Sequence, residues 1–155
     1  MSTIWKSLFA LLMAPVVLVA GWVYSAKAPD KEIAAVTIQR ASLLQGQIHK
    51  ADLVNGEYWK FEGEFLGEGA ELTFVSELSD KKVETFQKAA KRYGMAGWPE
   101  YNFIAMVIGG PTPWYVTITF TDGTKMSTYC YSYFPLTFAK VAKAFEELTS
   151  AKILT

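Results

Sequence analysis

Between Lys6 and Lys27 run twenty residues, Ser7 to Ala26, without one ionisable acid or base. A helix needs about 20 such residues to cross about 30 Å of hydrocarbon, so this stretch belongs in lipid or in an export channel. The rest of the chain must therefore fold without it. Trp5 stands at one end and Trp22 and Tyr24 at the other. At ~1.5 Å rise per residue the tryptophans lie about 25 Å apart, near the two headgroup zones. Lys6 and the amino terminus favour a cytoplasmic N-terminus. Nothing amphipathic relieves the run, which argues against a buried core helix.

The same residues carry the marks of a cleaved leader: a positive start, an apolar stretch that Pro15 shortens, and the small-residue site Ala26-Lys27-Ala28. Pro29 would then be the first residue after the cut, and its locked φ and missing N–H fit poorly in a peptidase that binds an extended chain. We therefore expect an uncleaved signal-anchor at residues 1–28 rather than a signal peptide, followed by a single exported domain at residues 29–155. No cysteine lies near the segment to carry a lipid.

About 127 residues follow Ala28, enough for one domain with its own core. Setting aside Lys6 and Lys27, thirteen basic residues face fifteen acidic ones, a net of −2. No basic face is implied, and we expect no nucleic-acid partner. Cys130 is the only cysteine, so no internal disulfide forms, and a small buried thiol is its expected role.

In "EYWKFEGEFL", Trp59, Phe61, Gly63 and Phe65 alternate with Tyr58, Lys60, Glu62 and Glu64, the period of a strand with one face buried and one wet. "AELTFVSEL" repeats the alternation with Leu72, Phe74 and Ser76 on one side, and Gly67 to Gly69 between the two runs reads as a hairpin turn. Upstream, the β-branched "EIAAVTIQR" favours a strand over a helix. "WYVTITFTDGTKMSTYCY" is a second hairpin, because Asp122-Gly123 supplies the positive φ values of a tight turn. A two-residue loop would set Val116 opposite Tyr129 and Trp114 opposite Tyr131. Trp114, Val116, Ile118, Phe120, Tyr129 and Tyr131 would then share one face, with Thr117, Thr119, Thr121 and Thr128 on the other.

Two segments have helical spacing instead. "LSDKKVETFQKAAKRYG" places Val83, Phe86, Ala90 and Tyr93 on one side, with Ser79 as cap, Leu78 as a staple to Val83, and Gly94 in the left-handed position after the last turn. Its Lys81, Lys82, Lys88, Lys91 and Arg92 read as a solvated face. Pro135 opens a terminal helix with Phe138, Val141, Ala142, Phe145 and Leu148 as its buried stripe. The expected class is α+β: an antiparallel sheet of two hairpins plus an extra strand near residues 33–40, its aromatic face covered by two amphipathic helices, preceded by an N-terminal hydrophobic helix.

The order in residues 79–149 of a capped helix, "GW", "W-x-V-x-I-x-F-x-DG" and a proline opening a helix with Phe138 and Phe145 resembles small uncharacterised bacterial envelope proteins and lipoproteins. The resemblance covers about half the chain and implies an exported bacterial α+β domain with no assigned activity. This sequence lacks the lipid-bearing cysteine of the lipoprotein members, and no functional residue carries over.

Chemistry is sparse. His49, in "QIHKAD", is the only histidine; with Asp52 it offers a conceivable base, but no nucleophile motif accompanies it and a surface ring is expected. One histidine and one cysteine do not build a zinc site, and no metal or cofactor is expected. Glu57, Glu62, Glu64, Glu68, Glu71 and Glu77 read as solubilising charge rather than a calcium site, because no loop with calcium spacing accompanies them. The long connection "GMAGWPEYNFIAMVIGGPTPWY" supplies the candidate ligand-binding residues Trp98, Tyr101, Phe103 and Trp114. They would line a groove for a peptide, glycan or lipid; alternatively Trp98 and Phe103 plug the open end of the sheet.

The expectation is an envelope protein anchored in the membrane through residues 7–26, or periplasmic or secreted if cut after Ala28, that serves as a non-catalytic binding or accessory module for an envelope partner. The competing readings are a small hydrolase using His49 and a structural subunit of a larger membrane complex.

Overall fold

The computed structural model describes residues 30–41, 46–63, 71–102, 113–130 and 134–153. The apolar run at residues 7–26, the Gly67–Gly69 turn, Phe65, Phe103 and Tyr131 lie outside them. No helix among the described residues is long and apolar enough to cross a membrane.

Seven strands form one sheet: β1 (Ile33–Ala41), β2 (Gly46–Asp52), β3 (Glu57–Gly63), β4 (Thr73–Glu77), β5 (Tyr101–Asn102), β6 (Trp114–Phe120) and β7 (Lys125–Cys130). Their order is β4-β3-β2-β1-β6-β7-β5, antiparallel except for the two-residue β5 beside β7. Helices α1 (Asp80–Arg92) and α2 (Phe138–Thr149) share a core with one face of the sheet, so the α+β class holds. The segment read as an extra strand is the centre of the sheet, flanked by β2 and β6.

The helices follow their sequence signals. Phe86 and Ala90 of α1 are buried, as are all five expected positions of α2. Phe86 meets Phe145 edge to face at 5.8 Å, joining the helices. Ser79 precedes α1 and accepts the amides of Lys82 and Val83 through its carbonyl, without a side-chain cap. Gly94 takes φ +63°, the left-handed conformation that ends the helix. Lys82 reaches the carbonyl of Leu148 and Ser150 Oγ at the far end of α2, Lys88 pairs with Glu84 and Lys91 with Asp30, so the lysines occupy a solvated face. Pro135 does not begin α2. The amide of Phe138 bonds its carbonyl at 2.8 Å in a turn, and the helix starts at Phe138.

The β6–β7 hairpin departs from its expected register by one residue. Thr119 pairs with Lys125, Val116 with Thr128 and Trp114 with Cys130. The loop is three residues, Thr121 to Gly123: the Gly123 amide bonds the Phe120 carbonyl at 2.9 Å, the Phe120 amide bonds the Thr124 carbonyl at 2.9 Å, and Gly123 has φ +81°. Asp122 Oδ1 accepts from both the amide and the hydroxyl of Thr124 and stabilises the longer loop. A slip of one residue exchanges the faces of a strand. Thr128 and Cys130 therefore enter the core, and Tyr129 joins Tyr115 on the open face with ring centroids 4.8 Å apart.

A similar exchange occurs in β3. Its buried residue is Tyr58, paired with Ala51, whereas Trp59 lies on the open face against Phe74 at 5.5 Å. Lys60 and Glu62 share the covered side with Tyr58 but bind each other near the sheet margin, so that side need not be wholly apolar. In β4 a bulge at Val75 separates Ser76, opposite Tyr58, from Phe74, opposite Trp59.

Candidate functional site

His49 is not on the surface. It belongs to β2, whose sequence GQIHKAD shows no strand period, and is 4 % exposed between Ile38 of β1 and Lys60 of β3. Tyr58, on the same side of β3 as Lys60, brings its hydroxyl to 2.6 Å from His49 Nδ1, and the two rings are parallel within 2°. Burial, and then the charge of Lys60, lowers the histidine pKa, with Glu62 acting in the opposite sense. Burial and the Glu62 charge push the Tyr58 phenol up to about 12. Both groups are therefore neutral near pH 7, with one proton held between them.

This pair is built as a polar pin rather than an exposed base. A general base must reach a substrate proton within hydrogen-bond distance, and the enclosed ring already spends Nδ1 on Tyr58. Cys130, also buried, stands on β7, three strands from β2 and at least about 14 Å from His49 at the usual spacing. The two do not form a nucleophile–base couple. Among the described residues no group of three or more His, Cys, Asp or Glu side chains is arranged to hold a metal ion.

Of the four candidate ligand-binding aromatics, the structure brings Trp98 and Trp114 together inside the core. They are 7 % and 8 % exposed, and each ring centroid lies 5.8 Å from that of Phe138. Trp98 Nε1 donates to Thr137 Oγ1 at 3.0 Å, and Thr137 donates in turn to the carbonyl of Tyr93 at 2.8 Å. This chain ties the 3-10 turn Met95–Gly97 to the start of α2. The Arg40 guanidinium lies 5.5 Å from the centre of the Trp114 ring. The backbone of Tyr101 pairs with Tyr129; its side chain and Phe103 lie outside the described residues.

The open surface of the domain is elsewhere. A cleft of about 380 Å³ lies where the β2–β3 turn, the end of β4 and the first turn of α1 meet, with Val54, Glu57, Phe74, Glu77, Asp80 and Val83 among its walls. Val54 is 67 % exposed and Phe74 46 %. Glu57 and Glu77 stand directly opposite each other on β3 and β4. Asp52 forms the turn beneath them, accepting the amides of Val54 and Asn55 at 3.2 and 3.0 Å. Of the acidic series, Glu62 binds Lys60 and Gln47, Glu64 and Glu68 lie outside the described residues, and only Glu57 and Glu77 converge here. The sequence signal was present in their alternation, but the bulge that aligns them was not legible.

Comparison of the chain with protein-family models, with curated proteins and with solved structures finds no match in any of the three.

Proposed function

We propose that this chain is a bacterial envelope protein, held at the cytoplasmic membrane by residues 7–26, whose α+β domain lies outside the cytoplasm and acts as a non-catalytic binding or accessory module. The observation that carries the reading is the uncharged run Ser7–Ala26, separated by only six residues, Lys27 to Glu32, from the first strand of a packed domain. Six extended residues span at most about 20 Å, so an anchored domain would sit close to the bilayer. The resemblance of residues 79–149 to small envelope proteins supports the same address. The enclosure of His49 and its bond to Tyr58 weigh against the hydrolase reading.

Membrane fractionation followed by intact mass tests the proposal. The full-length mass is expected in the membrane pellet. A soluble chain beginning at Pro29 would show a cleaved leader and a released envelope domain, whereas the full-length chain dissolved in the cytosol would overturn the reading.

A further inference from the structure

Among the described residues β4 is the outermost strand of the sheet, paired with β3 on one side only. Its side chains are largely open to solvent, with Phe74 46 % and Val75 49 % exposed. An edge strand presents extended backbone N–H and C=O groups to any chain that lies beside it, and addition of a strand to such an edge is a recurrent mode of peptide recognition. The other edge, β5, has two residues, so β4 offers the longer template.

The charges beside β4 specify the kind of chain. Asp30, Glu62, Glu84 and Asp122 each hold a lysine Nζ at 2.5–2.8 Å. Glu57, Glu77 and Asp80 hold none among the described residues. Asp80 faces the positive end of the α1 dipole, but Glu57 and Glu77 oppose each other across β3 and β4, a like-charged pair that weakens a sheet. The only further bond on this pair, among the described residues, is a 3.2 Å contact from Trp59 Nε1 to Glu57. A cation arriving with the added strand would relieve the repulsion, and its aliphatic stem would lie along the exposed Phe74, which shares the open face with Glu57 and Glu77. A second copy of this chain is the poorer occupant, because it would bring the same carboxylates to the contact.

We propose that β4 receives an extended segment of a partner protein with lysine or arginine at every second position, its cations seated over Glu57, Glu77 and Asp80. This names the partner chemistry of the binding module proposed above and rests on that reading. Main-chain bonds along Thr73–Glu77 supply the register, and the carboxylates select basic segments over neutral or acidic ones.

The test uses the full chain in neutral-detergent micelles and a short acetylated peptide of alternating lysine and valine, with the glutamate–valine peptide as control. Saturating Lys-Val peptide is expected to slow amide hydrogen exchange across residues 73–77 by about threefold or more. Glu77→Lys is expected to weaken binding by about tenfold or more, since it replaces an attraction with a repulsion, while its urea midpoint equals or exceeds the parent's because the introduced ammonium would pair with Glu57. The neutral double variant Glu57→Gln/Asp80→Asn is expected to lose affinity in the same direction and serves if Glu77→Lys fails to fold. Absence of protection at millimolar peptide, equal binding of the glutamate–valine peptide, or unchanged affinity in a folded variant would overturn the inference. Any of these results with the chain still in the membrane pellet removes the β4 partner alone and leaves the membrane assignment standing.

Discussion

His49 Nδ1 and Tyr58 Oη lie 2.6 Å apart on neighbouring strands, each drawn away from its charged form by burial. The hydrogen bond joins two side chains that the sheet and helices enclose, and two of the predictions follow from it.

The first concerns pH. A histidine whose pKa is lowered on folding leaves stability whole above its unfolded value, near 6.5, and removes it as pH falls from there through the folded value, because the unfolded chain takes up the proton first. The urea midpoint should therefore drop between about pH 7.5 and about pH 5.5, and drop less in His49→Gln. A nuclear magnetic resonance titration that put His49 above 6.5 would contradict the cause assigned here.

The second removes the partner. Tyr58→Phe keeps the ring and leaves Nδ1 with an unfilled bond in a buried setting, which costs about 1–3 kcal/mol. Urea denaturation followed by tryptophan fluorescence reads it. A loss under about 0.5 kcal/mol, the range of ordinary surface substitutions, would mean that water replaces the phenol and the site is not enclosed.

The third tests the hairpin register. Thr128 is 1 % exposed and its Oγ1 has no hydrogen-bond partner among the described residues. Replacing a buried, unpartnered hydroxyl by a methyl removes a desolvation penalty, so Thr128→Val should stabilise by about 1 kcal/mol. Had the loop been two residues long, Thr128 would face water and the substitution would be neutral. Denaturant midpoints of the two proteins distinguish these outcomes.

The fourth concerns the joint between the helices. Phe145 is fully buried and packs edge to face on Phe86. Phe145→Ala should cost about 3–5 kcal/mol, the range for emptying an aromatic site in a core that collapses only partly. A thermal melt showing an unchanged midpoint would imply that α1 and α2 do not close over the sheet as described.

The helices were legible in the sequence because a 3.6-residue period marks one side only: Phe86, Ala90, Phe138, Val141, Ala142, Phe145 and Leu148 had no alternative inward face. The place of the turn was equally clear, since Gly123 takes φ +81°, but its length of three residues was not. The candidate site was much less so. In "GQIHKAD" a single histidine set among glutamine, lysine and aspartate gives no strand pattern, yet neighbouring strands on both sides make β2 an interior strand and enclose His49.

What the sequence by itself determined was the place of the periodic segments, the position of the tight turn, and the uncharged run Ser7–Ala26. The covered face of β6 was legible too, whereas tertiary structure alone decided which face of β3 and of β7 is covered. A period of two names two faces without ranking them when both carry aromatics, as in β3, and one extra loop residue at Thr121 to Gly123 reverses every side chain beyond it. The choice between Tyr58 and Trp59, or Thr128 and Tyr129, rests on what packs above the sheet and what bonds across it, and those partners are distant in the chain.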